Sequence, residues 1–182
     1  MIFKFENKIE KAKFNYVMAI MHINELVRSK EFWKNIPNDK KFTYTLHSTD
    51  RLKNLMSSYM RNAEIEITFY RSSWFFRGVV SNVKNNKPNT ININTRHRNF
   101  TRTSGESIIM DIADKINTIC HECVHIADNL NGNMSFGHGD NNPVGKEDSF
   151  PYWFGNYARD YFIYYYNDSV QEEMLKRINY VQ

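Results

Sequence analysis

Between Ile109 and Ala127 apolar residues recur at every third or fourth position, and this stripe constrains the fold more than any other feature of the chain. Ile109, Ile112, Ile116, Ile119 or Cys120, Cys123 and Ala127 have the spacing of one buried face of an α-helix. Inside the same stretch, residues 121–125 read His-Glu-Cys-Val-His. Two imidazoles four positions apart on a helix lie one turn and ~6 Å from each other on one face, so both reach a single metal ion. At 100° per residue, His121, His125 and Asp128 fall within roughly 60° of arc, beside the core face rather than in its middle. Zinc suits such a pair. Glu122 is not needed as a ligand, which leaves it free to take a proton from a water that the metal activates.

A catalytic zinc takes a third protein ligand. The helix is expected to end near Asn129-Leu130-Asn131-Gly132, and the chain then offers Phe136-Gly137-His138-Gly139-Asp140. His138, between two glycines, can approach a metal closely and is the first choice, with Glu147, Asp128 and Asp140 open as alternatives. Asp128 and Asp140 also suit a supporting role, in which a carboxylate accepts the far N–H of a ligand histidine and fixes its tautomer. Cys120 and Cys123 are the only cysteines. No second pair completes a four-thiolate site, and both fall on or near the buried stripe, so small core residues are the expectation.

The string from His121 to His125 resembles the shared motif of the zincin metallopeptidases, over about thirty residues, 119–148. The resemblance implies a zinc hydrolase that cuts peptide bonds, with His121 and His125 as ligands and Glu122 as general base. The implied fold is α+β: a small zincin-like domain with a long N-terminal helix, a short, mostly antiparallel sheet of three to four strands, the motif helix, and C-terminal helices. The metzincin continuation requires Gly at 128 and His at 131, where this chain has Asp128 and Asn131. In the thermolysin-like branch the third ligand is a glutamate on the next helix, and Glu147 is the match. Zincins hold an extended peptide antiparallel to a strand bordering the cleft, so a peptide or protein is the implied substrate. Tyr152 and Trp153 follow the third-ligand region and are candidates to line the pocket, the tyrosine hydroxyl as an oxyanion donor. Both are also ordinary packing aromatics by composition.

The rest of the 182 residues reads as one domain, 1–182. Apolar positions at Phe14, Val17, Ile20 or Met21 and Leu26 predict a helix from about Glu6 to Arg28, extended by Glu31 to Ile36 and stopped by Pro37-Asn38-Asp39. Lys41 to Leu46 reads as a short strand, and Ser48-Thr49-Asp50 caps a helix to about Met60. Alternation predicts strands over Glu64–Tyr70, Ser73–Val83 and Asn89–Arg96, the third near the sheet edge. Phe150 to Tyr166 has aromatic residues at helical spacing, and Asp168 is expected to cap a final helix to about Val181. With 13 Phe and 11 Tyr, rings are expected to do much of the packing.

Charges interrupt the first residues, and no stretch approaches the ~20 apolar residues of a membrane span, so a cytoplasmic protein is expected, virion-associated in the alternative reading below. Net charge is +4. Lys84, Lys87, Arg96, Arg98 and Arg102 are interleaved with Asn, His97 and Phe100, a patch that suits nucleic acid or a solvated surface. Two readings compete with the hydrolase: a zinc-stabilised structural or binding module of a larger, viral-type assembly, and a protease acting on proteins bound to nucleic acid. His47 and His97 are expected to be ordinary strand or surface histidines.

Overall fold

The computed structural model describes residues 8–72, 80–84, 87–97, 100, 108–131, 145 and 148–179. They form five helices and three strands in the order α1 (Lys8–Leu26), α2 (Lys30–Lys34), α3 (Thr49–Asn62), β1 (Glu66–Tyr70), β2 (Ser81–Lys84), β3 (Lys87–Asn94), α4 (Ile108–Leu130) and α5 (Phe150–Asn179). Helix and sheet are therefore mixed in one chain. Among the described residues, no helix is long and apolar enough to cross a membrane.

Local chemistry explains most boundaries. The Ser29 side chain accepts from the Phe32 N–H at 3.2 Å and starts α2, so the long first helix is broken in two rather than extended. Ser48 caps α3 in the same way, accepting from Arg51 N–H. The expected strand over Lys41–Leu46 does not form. Tyr44 sits at φ 67, in the left-handed region, which breaks an extended run, and only a single parallel bridge, Thr43 to Ser149, remains. The expected break at Asp168 is absent as well: α5 runs from Phe150 to Asn179 without interruption. No Gly or Pro follows Gly155 to stop it, and a capping residue by itself does not end a helix.

The sheet order is β1-β3-β2. β3 pairs parallel with β1, Ile67 opposite Ile91 and Phe69 opposite Ile93, and antiparallel with β2, Val83 opposite Ile91. The expectation of a mostly antiparallel sheet is thus half right, and β3 is the central strand rather than an edge. Ile91 and Ile93 are fully buried, as a middle strand covered by a helix requires. The antiparallel edge is β2.

α4 is the centre of the molecule. It packs most extensively on α5, then on α1, both hairpin strands and α3. Ile112, Ile116, Ile119, Cys120, Cys123, Val124, Ile126 and Ala127 are all buried, the stripe the sequence predicted widened by contact on several sides. Rings fill the spaces around it. Tyr16 of α1 meets Phe69 and Phe100 at 5.6 and 5.8 Å. Phe32, Trp33, Phe154, Tyr157 and Tyr161 form a second cluster joining α2 to α5, where the Tyr157 hydroxyl donates to the Phe32 carbonyl and Trp33 Nε1 donates to the Val27 carbonyl at 2.8 Å. Edge-to-face and stacked pairs contribute about 0.5–1.5 kcal/mol each beyond the area they bury.

Candidate metal centre

His121 and His125 lie on successive turns of α4 and point their Nε2 atoms at each other, 3.2 Å apart, with ring centroids separated by 5.0 Å. Two nitrogens each about 2.0–2.1 Å from one tetrahedral zinc would stand about 3.3 Å apart. The pair therefore has the separation that shared coordination demands. The same distance serves an imidazole–imidazole hydrogen bond when one ring carries its proton on Nε2.

The packing of α5 on α4 fixes the first histidine. The Tyr152 ring meets His121 edge-on, centroids 4.5 Å apart at 70°. One turn further along, Gly155 brings the α5 backbone close: a Cβ there would stand 2.7 Å from the Asn117 carbonyl oxygen and 3.3 Å from the His121 Cβ. Only glycine permits that approach. Asn117 Nδ2 donates to Asn156 Oδ1 at 2.7 Å across the same seam. Trp153, the other aromatic proposed for the pocket, stacks on Tyr157 and meets Phe42 at a tilt of 58°, each at 5.2 Å, and packs against the core.

Glu122 is buried, 7% exposed, on the side of α4 facing the sheet. Ser81, the first residue of the edge strand, donates its Oγ–H to Glu122 Oε1 at 2.6 Å. Burial pushes the carboxyl up to about 7, against the Ser81 hydrogen bond, which pulls it down. Sequence reasoning missed Ser81, because a serine at the end of a strand carries no signal of what the strand packs against. Glu122 in turn raises its neighbours. The Tyr16 hydroxyl is pushed up by burial and then by this carboxylate, and so is the Tyr70 hydroxyl.

The two cysteines behave as core atoms. Both are free and buried. Burial holds the Cys120 thiol well above its usual value and pushes Cys123 up to about 12, with Glu122 adding to the latter. Thiols this far from ionisation are poor nucleophiles and poor metal ligands at neutral pH.

His138, Asp140 and Glu147, three of the candidates for a third ligand, lie outside the described residues. Asp128 belongs to the last turns of α4, yet among the described residues no group of three His, Cys, Asp or Glu side chains is placed to hold a metal. The basic patch is divided. Arg96 directs Nη1 to the Ser72 carbonyl at 2.9 Å and ties the strand ends together, Lys87 is exposed, and Arg98 and Arg102 are outside the described residues, as is the Lys84 side chain. His47 and His97 are half-buried at bends in the chain.

Compared with protein-family models, with curated proteins and with solved structures, the chain has no significant match.

Proposed function

We propose that the chain is a zinc-dependent metallopeptidase in which His121, His125 and a third ligand from the region after α4, His138 by preference, hold the metal and Glu122 is the general base. One observation carries the reading: two Nε2 atoms at coordination distance from a common point, on a helix that carries a buried carboxylate between them. The edge strand supports it. β2 is antiparallel to its neighbour, borders α4, and touches Glu122 through Ser81, so an extended peptide added to that edge would lie beside the base.

Zinc, when bound, supplies a Lewis acid that lowers the pKa of water to near 7 and polarises a carbonyl. The residues of the chain do the rest. Ser81 occupies Oε1 of Glu122 and orients the carboxylate, leaving Oε2 to accept a proton from the attacking water and pass it to the leaving amine. The Tyr152 ring, wedged against His121, holds that imidazole in its rotamer.

A second reading rests on the depth of Glu122. A base that is only 7% exposed suits a closed site, and a metal with four protein ligands and no open position would make the chain a zinc-stabilised structural or binding module. Metal analysis of the purified protein together with two substitutions separates the two. The peptidase binds about one zinc per chain, Glu122→Gln keeps the zinc and loses hydrolysis of a denatured protein substrate, and His125→Ala loses both. A Glu122→Gln variant as active as the parent would refute the base, and zinc content unchanged by His125→Ala would refute the site.

A further inference from the structure

On a different part of the surface, the end of α1, the start of α2 and the middle of α5 enclose a cavity of about 580 Å³, within the size range of small-ligand pockets. One wall is aromatic. Tyr161, Phe162, Tyr165 and Tyr166 fall at i, i+1, i+4 and i+5 on one face of α5, and the His22 ring of α1 closes on Phe162 at 4.8 Å and on Tyr166 at 6.2 Å. The charge on the opposite wall is of one sign: Glu25 and Glu31 line the cavity, and among the described residues no lysine or arginine does. That is unexpected for a chain of net charge +4, whose surface offers more cations than anions.

Both carboxylates remain available to a ligand. Glu25 stands 3.3 Å from His22 Nδ1 but is 73% exposed, with room for a second partner. Glu31 accepts from the Ser29 hydroxyl at 3.2 Å, and its own backbone N–H, the hydroxyl and then Lys30 and Lys34 keep its carboxyl below the usual carboxylate range. Faces of tyrosine attract cations through the ring quadrupole, and a carboxylate beside such a face adds to the attraction while rejecting anions. We propose that this cavity binds an alkylammonium ligand, its positive head against the Tyr165 and Tyr166 rings and within reach of Glu25 and Glu31. The proposal is independent of the metallopeptidase reading, since the two sites share no residue.

The test is an aromatic NMR titration of the full chain at constant ionic strength with choline and with its neutral isostere, 3,3-dimethylbutan-1-ol. Choline shifts the Tyr165 and Tyr166 signals at millimolar concentration, and the neutral alcohol binds at least about fivefold more weakly. Tyr165→Ala and Glu25→Gln, both at exposed side chains that leave the core intact, each weaken choline about fivefold, with far-UV circular dichroism unchanged. N-acetyl-lysine amide in a parallel titration identifies the head group as primary or quaternary, and binding of either supports the proposal. Equal affinity for choline and the alcohol overturns it in favour of a plain apolar groove. So does the absence of any shift with both cations, or indifference to both substitutions.

Discussion

Lys115 and Glu122 are both buried on α4, two turns apart, and their surroundings differ in kind. Lys115 is 4% exposed, lies 5.4 Å from the face of Tyr16, and has Asp111 and Asp114 near enough to hold its charge against the burial that lowers its pKa. Glu122 is 7% exposed, and among the described residues the group that offsets its burial is a neutral hydroxyl, that of Ser81. A buried charge that serves the fold is compensated by other charges. One that serves chemistry is left poised, with a proton affinity near neutrality. Under the proposed function, the first turns of α4 would serve structure and the later ones reactivity.

The largest effect expected from this contrast is on activity. Glu122→Gln should lower the rate of peptide hydrolysis by about 10³-fold, or about 4 kcal/mol in the barrier, while Lys115→Met, scored on its folded fraction, leaves the rate within a few-fold. Stability should respond in the opposite order. Lys115→Met leaves Asp111, itself 3% exposed, without its neighbouring cation and costs about 3 kcal/mol in urea unfolding, whereas Glu122→Gln costs little. Equal losses of stability from the two substitutions would erase the distinction.

The motif helix and its two histidines were legible because an apolar stripe at helical period and a four-residue spacing are both local properties. What surrounds them is not local. The alternation of Ile91 and Ile93 is the same on an edge strand and a central one, so β3 could not be placed before the pairing was seen. Ser81 meets Glu122 across 41 positions, and its role exists only because β2 packs on α4. Gly155 could have been found: a lone glycine inside an aromatic helical pattern marks a close backbone approach, and here it is what lets α5 reach His121. Tyr152 and Trp153 are neighbours of like composition, and only the direction of α5 decides that one meets the histidine and the other the core.

The contrast can be sharpened by pH. Glu122 binds its proton more tightly in the folded protein, with a value of about 7, than in the unfolded chain. Its contribution to stability is therefore complete below the unfolded value of about 4.5 and is lost as pH rises through the folded one. In protein stripped of metal by chelator, unfolding free energy should fall by about 2 kcal/mol between about pH 5 and pH 7, measured by denaturant titration at each pH. Glu122→Gln, which has no proton to lose, should flatten that slope. A parent slope no steeper than that of the variant would show that the carboxyl titrates normally.

The smallest effect isolates the hydroxyl. Ser81 donates to a carboxylate, and its hydrogen bond favours the ionised form, so its removal should cost more at high pH than at low. Ser81→Ala should destabilise the chelated protein by about 1 kcal/mol above neutrality, where the carboxylate would be left buried without a donor. Near pH 5, where Glu122 is protonated in the folded state and can itself donate elsewhere, the loss should be smaller. The upper end of the pH window should also move to higher pH, because the interaction that held the carboxyl down is gone. Ser81→Thr keeps the hydroxyl and should restore the parent profile, although the extra methyl must fit at the first position of β2. A Ser81→Ala loss that is the same at both pH values would mean that the contact only packs the strand on the helix, and the poised state of Glu122 would then rest on burial alone.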